Sequence, residues 1–143
     1  RINDVNMKAL YHAARVVVPE MIKGGGGTVL ATASTAGLRP RPGLVWYNAS
    51  KAWVINACKC MAVELAPHNI RVNTLCPVAG ETGMLADFMG EDTPEIREKF
   101  KSVIPLGRFS QPRDMANAAL YLVSDEADFI IGVALEVDGG RCV

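Results

Sequence analysis

The sequence predicts an α/β fold, a parallel β-sheet with helices on both faces. Three observations carry this. Segments of helical and of strand character alternate along the chain. The strand-like segments are short and largely apolar or β-branched, the pattern of strands buried between helices. The 143 residues make one domain's worth of chain, and half of them are hydrophobic, which excludes disorder.

Residues 4–23 form the first expected element, an amphipathic helix with Val5, Leu10, Ala13, Ala14, Val17, Val18 and Met21 at near-helical spacing. Pro19 inside it removes a bond to the Arg15 carbonyl and predicts a kink. Glycines 24–27 stop this helix. They do not form a phosphate-binding turn, which runs strand, glycines, helix; here the order is reversed. Residues 28–33 (TVLATA) read as a short buried strand. Residues 34–44 are a loop marked by two prolines and two glycines. Residues 45–66 are a long helix that Pro67 closes. Residues 70–76 (IRVNTLC) are a strand that ends at Pro77, and 78–90 are irregular. Two shorter helices follow, at 94–102 and 113–123, with Thr93, Asp114 and Ser124 as cap or turn residues. Residues 133–137 are the last strand. Three parallel strands alone leave one apolar edge uncovered, which suggests a missing front half.

Charge is balanced overall, with 15 Lys+Arg against 15 Asp+Glu. Residues 1–71 carry nine bases and three acids, net +6; residues 72–143 carry six and twelve, net −6. A neutral chain lacks the electrostatic footprint of a nucleic-acid binder. No apolar run approaches the ~20 residues of a membrane span, and the opening RINDVNMKALY has no signal-peptide pattern. Cys58, Cys60, Cys76 and Cys142 form no CxxC motif, and His12 and His68 are not spaced as zinc ligands, so no metal site is expected. The cysteines are expected as small buried hydrophobes in a reducing cytosol.

The sharpest local feature is YNASK, residues 47–51. Tyr47 and Lys51, four apart, share one helix face. An ammonium near a phenol favours the phenolate, which suits Tyr47 to exchange a proton. Ser34 lies where a buried strand leaves the sheet, and in open α/β sheets ligands bind outside the carboxyl ends of the strands. Ser34 can therefore donate to a substrate oxygen while Tyr47 moves its proton. A Ser-His-Asp hydrolase is excluded, because Ser34 lacks the flanking glycines of a G-x-S-x-G elbow.

Together these residues resemble the short-chain dehydrogenase/reductase family. Asn6 in DVNMKALY resembles its helix asparagine, and TASTAG its serine motif, thirteen positions before Tyr47. YNASK resembles its Tyr-x-x-x-Lys motif, NIRVNTLCPVAGET its nicotinamide-side loop, and PLGRFSQPRDMANAALYLVSDEADFIIG with LEVDGG its C-terminal signature. The resemblance implies a Rossmann-like sheet, truncated to the C-terminal strands and helices, so that residues 1–143 are the C-terminal catalytic portion of a single domain. It implies an oxidoreductase that transfers a hydride between NAD or NADP and an alcohol or ketone. Tyr47 would be the acid/base. Lys51 would assist it and hold the nicotinamide ribose, Ser34 would orient the substrate oxygen, and Asn6 would hold a relay water. Pro77, Gly80 and Thr82 would contact the cofactor, and Leu38, Trp46, Met84 and Phe88 would border the substrate.

The family's Pro-Gly is Pro77-Val78 here, which puts the fit of the nicotinamide-side loop in question. Its glycine-rich phosphate turn does not occur in these 143 residues. A chain that does no catalysis and only oligomerises with related subunits is therefore the alternative, and the isolated chain is expected to be inactive. Residues 80–104 are expected to form a substrate lid. Arg39 and Arg41, between prolines, are expected on a rigid surface loop, with an anionic-substrate contact as the second reading. The resemblance further implies a cytoplasmic homodimer or homotetramer acting on a small molecule, with no nucleic acid and no membrane as partner.

Overall fold

The longest of the strand-like segments forms the middle of the sheet. Strand β2 (Ile70–Pro77) lies between β1 (Gly27–Thr32) and β3 (Ala134–Val137), and all three run parallel. Val29 sits beside Val72, Thr32 beside Leu75, and Leu75 beside Leu135. Val72, Asn73 and Cys76 are fully shielded from solvent, as a strand covered on both faces requires. The computed structural model describes residues 1–143, except for the side chains of Asp87 and Phe88.

Alternation along β2 assigns its side chains to two helical layers. Ile70, Val72 and Cys76 meet α2 (Val45–Leu65), which buries every fourth residue from Ser50 through Val54 and Cys58 to Ala62. Leu10, Val18 and Met21 of the first helix complete this core. On the opposite face, Arg71 donates to the carbonyls of Leu122 and Ser124 at 2.8 and 3.0 Å. That places a cation on the C-terminal carbonyls of α5 (Pro112–Val123), where the helix dipole favours it. Helices thus cover both faces, as the sequence predicts.

The first helix opens with one π-helical turn, Asp4–Lys8, and continues as α1 (Ala9–Lys23) through Pro19. The amides of Gly24 and Gly26 bond back to the Glu20 and Met21 carbonyls at 2.9 and 3.0 Å, so the glycine run is the expected helix stop. At Gly26, with φ 142°, a Cβ would lie 2.5 Å from the Asn69 carbonyl oxygen, so the chain passes the start of β2 only as glycine.

The segment read as irregular, 78–90, contains a short helix, α3 (Leu85–Met89), and Gly80 bridges to Ser110 as an extra parallel pair. Leu85 drives this, packing with Ile104 and Phe109 in a second small core. Thr93 caps α4 (Pro94–Lys101), its hydroxyl accepting from the Ile96 amide. Asp114 is the third residue of α5 rather than its cap; its carboxylate accepts the Gln111 amide at 2.8 Å. Arg108 beside it and that amide hold the Asp114 carboxyl down at about 2.

The cysteine expectation holds in part. Cys58 and Cys76 are buried, and burial pushes each thiol up to about 11. Cys60, two positions from Cys58 on α2, faces solvent. Brief alkylation at pH 8 followed by mass spectrometry should label Cys60 and spare Cys58 and Cys76 until denaturant is added. Early labelling of Cys76 would contradict this packing.

Asn73 ties β2 to the approach of β3. Its amide donates to the Ile130 carbonyl at 2.8 Å and its oxygen accepts the Val133 amide at 3.1 Å. Asn73→Ala should cost roughly 2–3 kcal/mol in urea unfolding of the full-length protein. A loss under about 0.5 kcal/mol would remove this clamp from the account.

Candidate active site

The site grows from the way α2 meets the end of β1. Tyr47 and Lys51 lie one position on from the buried row of Ser50 and Val54, in the row that continues to buried Ile55, so they emerge where the core opens at the strand tips. Lys51 Nζ donates to the Thr32 carbonyl, the last of β1, at 3.0 Å, and stands 5.8 Å from the Tyr47 ring centroid. Burial pushes the Lys51 ammonium below its ordinary value.

The chain then turns through a 3-10 segment, Thr35–Gly37. Ser34 caps it, its hydroxyl accepting the Ala36 amide at 3.1 Å, and only 7% of Ser34 is exposed. Thr35 Oγ1 donates to the Pro77 carbonyl at 3.2 Å, joining the loops after β1 and β2. Gly37 makes the turn fit against α2, since a Cβ there would lie 2.7 Å from both the Ala52 nitrogen and the Lys51 carbonyl carbon.

Ser34, Tyr47, Lys51, Pro77, Gly80, Thr82 and Met84 line one cleft of about 620 Å³. Asn6 stands behind it. From the π-helical turn its amide donates to Ser50 Oγ at 3.0 Å, and Ser50 Oγ donates to the Tyr47 carbonyl at 2.8 Å. Leu38 and Trp46 are not brought to the cleft. Trp46 lies in the first turn of α2, before the buried row starts at Ser50, and is 73% exposed. Leu38 ends the 3-10 turn on the solvent side. Phe88 lies outside the described side chains.

Val78 takes no glycine-like backbone. Among the described non-glycine residues only Asn69 has a positive φ. The Val78 amide donates to the Val137 carbonyl at 3.4 Å, and its side chain joins the Leu85–Ile104–Phe109 core.

The roof of the cleft comes from α3, α4 and the segment after them, through Met84, Leu85, Phe100, Val103 and Ile104. Arg97 fastens this roof. It pairs with Glu81 at 3.1 Å and with Asp92, and its guanidinium lies 5.8 Å from the Phe109 ring centroid.

Arg39 and Arg41, expected on a surface loop, line the cleft wall. Asn48 on α2 holds their loop by donating to the Arg41 carbonyl at 2.8 Å, and Arg41 lies 4.8 Å over the Phe100 ring. Sequence reasoning missed Arg141, which also lines the cleft. The signal was a charged residue directly after the two glycines that follow the last strand. Gly37 and Ser50 were missed as well, although both sit inside the quoted serine and tyrosine motifs.

Among the described residues, Glu136, Asp138 and Cys142 bring three metal-capable atoms within 4.8 Å of one another. Asp138 already uses its oxygens to accept the Gly140 and Cys142 amides at 2.9 and 2.8 Å. It is a turn-former here.

A family model described as enoyl-(acyl carrier protein) reductase matches residues 1–141. The 4-formylbenzenesulfonate dehydrogenase of Comamonas testosteroni is 51% identical over 99% of this chain and 56% of its own length. The 3-oxoacyl-[acyl-carrier-protein] reductase of Thermotoga maritima is 41% identical over 98% of this chain and 55% of its own length. A crystal structure of 3-ketoacyl-(acyl-carrier-protein) reductase from Brucella melitensis, complexed with NADH, superposes with a TM-score of 0.92 at 45% identity, covering 99% of this chain and 57% of that one. The chain spans about half the length of the curated relatives it matches. No helix among the described residues is long and apolar enough to cross a membrane.

Gly37→Ala should force the 3-10 turn off α2 and cost about 1–3 kcal/mol by chemical denaturation. Wild-type stability in that variant would mean the turn does not rest on α2 as described.

Proposed function

The chain belongs to the short-chain dehydrogenase/reductase family, and on that premise we propose that residues 1–143 are the C-terminal catalytic portion of one such domain. Its reaction is hydride exchange between NAD or NADP and an alcohol or ketone. The observation that carries this reading is the convergence of Ser34, Tyr47 and Lys51 on one cleft beyond the strand ends.

The donor set suits a nicotinamide nucleotide. Lys51 offers a cation, Thr82 a hydroxyl and Pro77 a carbonyl along the same wall. A bound nicotinamide supplies the hydride; the protein supplies position and charge. Ser34, nearly buried and fixed by its own turn, donates to the substrate oxygen and orients it. Tyr47 gives its phenolic proton to that oxygen in reduction and takes it back in oxidation. The Lys51 ammonium, anchored on the Thr32 carbonyl and 5.8 Å from the Tyr47 ring centroid, sets a positive charge near the phenol and reaches the nicotinamide ribose. Asn6 acts through Ser50 on the backbone of Tyr47 and holds the water that connects Lys51 to solvent. Pro77, Gly80 and Thr82 hold the nicotinamide side, and residues 80–104 close over the substrate and exclude water.

Exposed apolar side chains on the outer helices and near β3, among them Val63, Leu120 and the 98%-exposed Phe129, support a homodimer or homotetramer. Free thiols at all four cysteines are compatible with a cytoplasmic protein.

In the full-length protein that carries this chain, Tyr47→Phe should lower kcat for carbonyl reduction about 10²- to 10⁴-fold, read as NADH or NADPH consumption. Turnover close to wild type would remove Tyr47 from the chemistry and the redox reading with it.

A further inference from the structure

The cleft carries a charge imbalance that proton exchange at Tyr47 does not use. Arg39, Arg41, Lys99 and Arg141 line it together with Lys51, and no Asp or Glu among the described residues does. A concave wall of one sign, backed by low-dielectric protein, concentrates ions of the other sign.

Arg141 is the sharpest part of this arrangement. Its Nη1 is buried and has no hydrogen-bond partner among the described residues. A buried donor left unmade is costly, and a cationic one more so. The fold nevertheless builds it in. Asp138 accepts the amides on either side of Arg141, those of Gly140 and Cys142, at 2.9 and 2.8 Å. Arg39 Nη1 donates to the Arg141 carbonyl at 2.5 Å. The backbone of Arg141 is thus clamped from two directions. The Arg41 guanidinium is held low first by burial and then by the positive charge of Arg141, so two like charges share this end of the cleft. Most of the other wall residues are apolar, including Val78, Met84, Val103 and Met115.

We propose that Arg141, with Arg39, Arg41 and Lys99, forms a subsite for a carboxylate or sulfonate on an otherwise apolar substrate whose carbonyl reaches Ser34 and Tyr47. An oxyanion there satisfies the open guanidinium donor and separates the two like charges; Arg forks match such groups in geometry as well as charge. The proposal rests on the oxidoreductase reading and adds the substrate class to it.

The test uses the full-length protein with 4-formylbenzoate and its uncharged methyl ester. The ratio of their kcat/KM values should fall about tenfold in Arg141→Met. It should fall less in Lys99→Met, and Arg141→Lys should restore part of it. An unchanged ratio in both Met variants overturns the proposal. So does a rise in the KM of NADH or NADPH with the ratio unchanged, since the bound anion is then a cofactor phosphate. If Arg141→Met does not fold, Lys99→Met, on the exposed side of α4, gives the same readout. Equilibrium binding of benzoate against benzamide needs no turnover. Arg141-dependent benzoate binding in a protein that reduces neither aldehyde keeps the subsite and discards the redox reading.

Discussion

One hydrogen bond organises the cleft end of this molecule, from the Lys51 ammonium to the last carbonyl of β1. It fixes a helix to a strand tip at the level where the parallel sheet stops supplying partners of its own. Because the bond consumes a donor of Lys51 and lies partly out of water, the cation is localised rather than left on a flexible stem. Tyr47, one turn earlier on the same helix, inherits its place from this anchor. Ser34 inherits its place from the same strand end, two residues past Thr32.

The surrounding contacts converge on that junction. Gly37 lets the serine turn lie on the backbone of Lys51 and Ala52. Thr35 binds the turn to the end of β2. Ser50 and Asn6 reach Tyr47 from behind, so the first helix of the chain is mechanically joined to the phenol-bearing turn. The π-helical turn has a local reason, because it presents Asn6 to Ser50 at the helix start.

The elements set by periodicity were legible in the sequence. The strands at 28–33, 70–76 and 133–137 and the long helix from 45 differ from the structure by a residue or so at their ends. So were the residues carried by short motifs, since Ser34, Tyr47, Lys51, Gly80 and Thr82 meet in the cleft. What was hidden depends on contacts distant in sequence. Leu85 is helical because Ile104 and Phe109 receive it, and no local pattern announces that. Arg41 reads as a loop charge between prolines until Phe100, 59 positions later, comes beneath it. Trp46 shows the converse error. The resemblance put it beside the substrate, but it lies in the first turn of α2, ahead of the buried row that begins at Ser50, and is largely exposed.

The roof over the cleft is fastened differently from its floor. The floor is sheet and buried apolar contact, with no ion pair to screen among the described residues of its strands. The roof hangs on Arg97, whose carboxylate partners Glu81 and Asp92 are each more than a third exposed. Attraction between such groups weakens as counter-ions crowd in, with the Debye length shrinking from about 10 Å at 0.1 M to 3 Å at 1 M salt. Ionic strength therefore acts on the fastening of the covering segment more than on the packed sheet beneath it, so how readily this cleft is covered is tuned by the solution around it.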